Sequence, residues 1–311
     1  MKSTSELGKI AVVGSGAVGL YYGARLATAG HDVSFLLRSD YDQVREHGIQ
    51  VDSVDGDFLL EKVNYAKQTS EIGEVDLVIV AWKATVNSLS EKIIWPLMGK
   101  NTRLLILQNG LGNCEFFADV FGAERIFGGL CFVCINRISP GYVQHTASGL
   151  IRIGSYTGSS EPEGWIESFN AAGFPCEWVE SLEKAQWMKL VWNIPFNGLA
   201  IAKDGVNTAQ LLGELNLEME IREIMREVIN CAAAYGHQIE ESIIDHQIAI
   251  TIPMKAYRPS SMIDFVEGRP IEVEAIWGEP LRRARAKGVM VPRIEELYQQ
   301  IKLTVKSRIE K

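Results

Sequence analysis

The chain has 311 residues, enough for two domains of ordinary size that each bury a core. Its 47% hydrophobic and 23% charged residues are the balance of a soluble globular protein, and a net charge of −8 leaves no general attraction to nucleic acid or to an anionic membrane. No apolar stretch approaches the ~18 residues of a membrane span, residues 1–8 lack the apolar core of a signal peptide, and five thinly spread cysteines favour a reducing, cytoplasmic setting.

Residues 9–19 read KIAVVGSGAVG. Residues 10–13 suit a buried parallel strand and residues 20–29 are rich in helix formers. Between them Gly14, Gly16 and Gly19 keep the spacing G-x-G-x-x-G, with a physical task for each: the tight turn, room for a pyrophosphate, and close packing of helix on strand. The turn Gly14, Ser15, Gly16, Ala17, Val18, Gly19 is therefore a candidate dinucleotide site, with the helix N-terminus facing the phosphates. Residues 31–37 form a second predicted strand. A site for NAD usually places an acid about 20 positions beyond the glycines, whereas this strand ends in Leu37, Arg38 and Ser39. A cation and a hydroxyl suit a 2′-phosphate, which favours NADP(H); the alternative is that Arg38 is a solvated loop residue and Asp40 takes the place of the acid.

Residues 75–82 and 103–107 are further apolar runs. They end in Lys83 and in Gln108-Asn109-Gly110, at the carboxyl ends of strands, where open α/β sheets hold ligands. Asn109 suits the nicotinamide ribose or the substrate, or else is a turn residue before glycine. Residues 128–135, 142–146 and 150–153 look like antiparallel strands, 165–172 a helix and 176–179 a last short strand. Cys131 and Cys134 have metal-ligand spacing but no second pair of ligands, so they read as buried strand cysteines and no metal site is expected.

Beyond residue 180 strand signals nearly vanish. Residues 183–202, 213–235, 239–251, 272–287 and 292–311 carry helical patterns, which divides the chain into an α/β domain, residues 1–180, and an all-helical domain, residues 181–311. Lys189, Asn193 and Asn197 recur every four residues and share one helix face, drifting by about 40° per step. Trp187, Val191, Trp192 and Phe196 surround them, a setting in which a lysine can protonate a carbonyl oxygen and in which burial lowers its pKa toward the useful range. The alternative is a core-facing helix whose Lys189 snorkels to solvent, and Pro195 predicts a kink between the two asparagines.

The ordered set of the glycine turn, Lys83, Gln108-Asn109-Gly110, Lys189 with Asn193 and Asn197, Pro259-Ser260-Ser261-Met262 and Gly268-Arg-Pro-Ile-Glu272 resembles that of the ketopantoate reductases (2-dehydropantoate 2-reductases), over almost the whole chain. The resemblance implies a Rossmann-type domain followed by a helical domain similar to that of 6-phosphogluconate dehydrogenase, and NADPH-dependent reduction of ketopantoate to pantoate on the route to pantothenate. Position by position it implies Lys189 as general acid and Asn193 and Asn197 as substrate ligands. It further implies Ser260 on the substrate carboxylate, Glu272 on the cofactor ribose or substrate hydroxyl, Asn109 near the nicotinamide, and Arg38 with Lys83 on the adenosine phosphate.

Where many members read Ser-Met-Leu-Gln-Asp, this chain has Ser260-Ser-Met-Ile-Asp264; an ungapped count selects Ser260 and a match on Ser-Met selects Ser261. Trp277 replaces a small amide and Ile271 a threonine, which leaves open a pocket shaped for another 2-keto acid and an activity of another β-hydroxyacid or opine-type dehydrogenase. A non-catalytic NADP(H)-sensing protein is the reading from another class; a lysine beside the nicotinamide would serve no purpose in it. The terminal helix suits packing within its own domain or across a homodimer.

Overall fold

The fold is described from a computed structural model, for residues 7–309. It separates into two compact units, one comprising residues up to Gln108 together with Asn113–Leu182, the other Asn109–Gly112 together with residues from Glu183 onward.

The first unit is built on a sheet whose strands are β1 (Lys9–Val13), β2 (Asp32–Leu36), β3 (Ile49–Ser53), β4 (Phe58–Leu60), β5 (Asn64–Ala66), β6 (Val75–Val80), β7 (Met98–Ile106), β8 (Ile126–Ser139), β9 (Tyr142–Ser155) and β10 (Cys176–Trp178). The order is β4-β3-β9-β8-β7-β6-β1-β2-β5, with β10 beside β9. Strands β5, β2, β1, β6, β7 and β8 pair in parallel, and β1 lies where the order reverses. Such a reversal opens a crevice at the carboxyl ends of the strands. β1 and β6 are buried almost throughout, which is why they read as unbroken apolar runs.

Between residues 126 and 155 the structure has two long strands in one antiparallel hairpin rather than three short ones; irregularities in the register near Val133, Ile135 and Ser139 interrupt the alternation that a sequence pattern relies on. β3, β4 and β5 carried no clear signal. β3 ends in polar residues and the other two have three residues each, too short for a period to show. Cys131 and Cys134 lie on β8 half-buried, less covered than expected. The helices of this unit are α1 (Ala17–Thr28), α2 (Tyr41–His47), α3 (Thr69–Ile72), α4 (Ser90–Ile94), α5 (Asn113–Phe121) and α6 (Trp165–Ala171).

The second unit is helical: α7 (Leu182–Ala202), α8 (Thr208–Leu212), α9 (Leu215–Ala234), α10 (Ser242–Thr251), α11 (Ser260–Val266), α12 (Glu279–Ala286) and α13 (Pro292–Ile309). α7 is its axis. Trp187, Val191, Ile194, Phe196, Leu199 and Ala200 are fully buried in one core with residues of α9, α12 and α13. A helix apolar on nearly every side belongs inside a domain. α7 passes through Pro195 as a single helical segment. The predicted helix at 272–287 begins instead with a π turn, Glu274–Gly278, ahead of α12.

Candidate active site

The glycine turn does what its spacing requires. Gly14 has φ +110, and a Cβ there would lie 2.3 Å from the Trp82 nitrogen, so the turn fits against the chain leaving β6 only because no side chain is present. A Cβ on Gly19 would lie 2.0 Å from the Gly14 oxygen, which sets how closely α1 approaches the turn. Gly16 differs: it is exposed, and a Cβ would meet nothing within 4 Å. No side chain caps the N-terminus of α1 and no acid lies in its first turn. The protein's own packing therefore leaves an open face and a row of helix N–H donors beside Gly16, the arrangement an anionic pyrophosphate needs.

Arg38 and Ser39 are exposed at the end of β2. Asp40, next in sequence, is wholly buried. Its carboxylate accepts from Ser39 Oγ (2.8 Å), Arg137 Nε (3.1 Å), the Gly141 amide (3.0 Å) and Arg137 Nη2. Four donors saturate its oxygens, so the acid fastens the end of the β8–β9 hairpin to the end of β2 and has no lone pair left for ribose hydroxyls. Lys83 is half-buried just beyond β6, at the start of the 3₁₀ turn Ala84–Leu89. Sequence reasoning missed the amide network that follows. Asn87 Oδ1 accepts from Trp82 Nε1 (3.0 Å) and Gln108 Nε2 (2.6 Å), while its Nδ2 donates to Gln108 Oε1 and Asn113 Oδ1, both at 3.3 Å. Asn87 thus ties together the two residues between which residues 109–112 leave the first unit.

Within the second unit, Lys189 and Asn193 are half-buried and Asn197 is buried, one helical turn apart. Lys189 Nζ donates to Asn109 Oδ1 at 2.9 Å, so two candidates from opposite ends of the sequence reading meet directly. An ammonium has only hydrogens to give, which fixes the amide with its oxygen toward the lysine. Asn197 uses its side-chain oxygen to accept from the Ser261 backbone amide at 2.9 Å, satisfying a donor of the first turn of α11. Ser261 is buried by that contact; Ser260 beside it is exposed. Glu272 is half-buried, and its carbonyl receives the Ile276 amide at 3.1 Å at the entry to the π turn.

The π turn also carries the loop that presents Asn109. The Glu279 amide bonds to the Glu274 carbonyl, five residues back. Ala275 would next receive an amide from residue 280, but that residue is proline. The Ala275 carbonyl instead accepts from the Leu111 amide at 2.9 Å. Gly110, at φ +90, makes this approach feasible, since a Cβ there would stand 2.2 Å from the same oxygen. On the outer side, Glu274 accepts from Tyr298 OH (2.7 Å) and Arg282 Nη1 (2.7 Å). Burial opposes its ionised form, but these bonds outweigh it and hold the carboxyl below its usual range. Pro280 inside a helical pattern was the available sign of this irregularity.

Trp277 does not do what its sequence position suggested. It is wholly buried, its Nε1 donates to the Ile194 carbonyl at 3.0 Å, and a Cβ on Gly198 would fall 2.8 Å from that nitrogen. The large ring fills space in the helical core that Gly198 leaves, so the change from a small amide is compensated internally and the expectation of a reshaped pocket at Trp277 is withdrawn. Ile271 is half-buried and packs against the same core.

A glycine-turn unit with a mostly parallel sheet, followed by a helical unit presenting lysine and amides, defines a two-part dinucleotide-dependent oxidoreductase. Comparison with known proteins narrows this. The profile described as ketopantoate reductase PanE/ApbA matches residues 10–158, and its C-terminal counterpart matches residues 181–305. A 2-dehydropantoate 2-reductase of Nostoc sp. strain PCC 7120 is 40% identical over 301 residues, 94% of each chain. A crystal structure of 2-dehydropantoate 2-reductase from Geobacter metallireducens GS-15 superimposes with a TM-score of 0.93 at 42% identity, covering 95% of this chain and 99% of that one; one from Methylococcus capsulatus gives 0.90 at 31%, covering 97% and 98%. The chain belongs to the ketopantoate reductase family, and it is an oxidoreductase of the 2-dehydropantoate 2-reductase type.

Proposed function

We propose that the protein reduces 2-dehydropantoate to pantoate with NADPH, Lys189 supplying the proton. The observation that carries this reading is the Lys189–Asn109 hydrogen bond: a half-buried ammonium held at 2.9 Å by an amide, on the face that also bears Asn193. NADPH supplies the hydride when bound. The protein's part is to stabilise the oxygen of the keto group as negative charge gathers on it and to deliver a proton there, which an oriented ammonium does. Asn193 is the amide best placed to hold the substrate. Asn197 supports it indirectly, by fixing the first turn of α11 so that the Ser260 hydroxyl is offered to a carboxylate. Glu272 is assigned to a hydroxyl of cofactor or substrate.

The choice of NADPH rests on Arg38, exposed beside Ser39, and on the saturation of Asp40, which removes the acid that an NAD site would use. Lys83 is assigned to the same phosphate, and residues Gly14–Gly19 to the pyrophosphate. The open face at Gly16 fits that group. We further propose a cytoplasmic enzyme; among the described residues no helix is long and apolar enough to cross a membrane. The alternatives of an opine-type dehydrogenase or a non-catalytic sensor are not favoured, given a relative at 40% identity that carries the reductase name.

Lys189→Ala tests the reading. Steady-state reduction of 2-dehydropantoate should fall by ~10²-fold or more in kcat while the fluorescence-titrated affinity for NADPH stays within about threefold. Turnover near that of the unaltered enzyme removes Lys189 from the reaction.

A further inference from the structure

Two backbone features meet at one carbonyl oxygen in the second unit. In the turn Glu274–Gly278 the hydrogen bonds lengthen to five residues, and the residue that would serve Ala275 in this pattern is Pro280, which has no N–H. The proline ring would also crowd the carbonyl of Ile276 in a regular α-helix, so the wider turn relieves a clash that the sequence itself imposes. A buried carbonyl without an intrahelical donor needs a partner from elsewhere. The Leu111 amide supplies it at 2.9 Å, with Leu111 buried and Gly110 pressed against the same oxygen. Two residues before Leu111 is Asn109, whose side chain holds Lys189 Nζ.

We propose that Pro280 is a positioning residue for the proton donor: by leaving the Ala275 carbonyl unserved inside its helix, it latches the 109–112 loop through Leu111 and so holds Asn109 against Lys189. The inference rests on the reading of Lys189 as the acid. Its cost is the π turn, a rare irregularity that often occurs at functional sites. Its benefit is that a four-residue loop with two glycines at positive φ, Gly110 and Gly112, keeps one conformation. An alanine at 280 would bring a competing N–H to Ala275 and loosen the loop without touching substrate.

Pro280→Ala is the test, with Gly110→Ala as the stronger perturbation of the same contact. For Pro280→Ala we expect kcat to fall about three- to tenfold, KM for keto acid and NADPH to stay within about twofold, and the solvent deuterium isotope effect on kcat to rise as proton delivery slows. Gly110→Ala should lose roughly 30-fold or more in kcat, because φ +90 and the contact with Ala275 both exclude a Cβ. Because both act through Lys189, Lys189→Ala/Pro280→Ala should be no slower than Lys189→Ala alone. Multiplicative losses, or a KM effect with kcat intact, overturn the proposal. The latch has a readout independent of turnover: amide hydrogen exchange at Leu111 should be at least about tenfold faster in Pro280→Ala at unchanged global stability. Unchanged exchange refutes the latch whatever Lys189 does. Faster exchange with Lys189→Ala fully active refutes instead the acid that the latch is said to position.

Discussion

The candidate sites of the two units are built by different physical means. In the first, the candidate site is made of backbone: a glycine turn, a helix N-terminus without a side-chain cap, and the end of a parallel strand, all contributed by residues close in sequence. In the second, it is made of side chains whose placement depends on contacts across long separations, Lys189 with Asn109, Asn197 with Ser261, Trp277 with Ile194. A backbone site tolerates varied side chains but no added Cβ atoms where the chain is pressed together. A side-chain site tolerates local changes only while its distant supports persist.

The largest effect expected from probing that contrast lies in a support. Trp277→Asn puts a small amide in place of the ring, which would empty the space beside Gly198 and leave the Ile194 carbonyl without its indole donor. Thermal or chemical denaturation should show a loss of about 3–5 kcal/mol, in the range of a buried aromatic removed from a core. The relative kcat/KM values for a panel of 2-keto acids should hold, because the ring is wholly buried. A changed substrate profile at little cost in stability would return Trp277 to the pocket.

The same contrast explains what could be read in the sequence. The Rossmann half was legible at β1, the glycine turn and α1 because a short apolar run, three glycines and a helical pattern each have a local cause. β3 to β5 were not, since strands this short carry no period and are held by their neighbours. In the helical half the residue types Lys189, Asn193 and Asn197 stood out by spacing, and α7 placed them one turn apart. What Asn197 does was not legible: that its oxygen serves the Ser261 amide depends on where α11 docks. Asp40 shows the limit most clearly. Its sequence position suits a ribose-binding acid, and only the hairpin ending at Gly141, some 100 residues on, reveals a carboxylate with all its acceptors used. Trp277 misled in the opposite direction, since its compensating glycine lies on another helix.

An intermediate effect is expected at the edge of the backbone site, where the proposed phosphate contacts are side chains. Arg38→Gln should lower kcat/KM for NADPH by ~30-fold while that for NADH changes by less than about threefold, because a charge-assisted contact to a 2′-phosphate is lost and nothing is gained for a ribose hydroxyl. Asp40 stays occupied by Arg137 and the Gly141 amide in this variant. The ratio of the two values, measured at one ionic strength, decides the matter. An unchanged ratio would make Arg38 a solvated loop residue.

The smallest effect separates space kept for a ligand from space kept for the fold. Gly16 has φ −79, a conformation open to any L-residue, and a Cβ there meets no protein atom within 4 Å. Gly16→Ala should therefore fold normally and lose no more than about 1 kcal/mol, the difference between glycine and alanine at a helix N-cap. If the space faces the pyrophosphate, the added methyl group pushes the phosphates away from the α1 donors, and NADPH should bind roughly tenfold more weakly, with a comparable loss for NADH because both share that group. Gly19→Ala forms the counterpart: a Cβ 2.0 Å from the Gly14 oxygen forces the protein itself apart, so stability and cofactor affinity should fall together. Isothermal titration of Gly16→Ala with both nucleotides, beside its denaturation midpoint, reads the two quantities separately. Equal affinity for the cofactor in the variant would mean that the glycine turn binds through its other residues and that the openness at Gly16 serves no ligand.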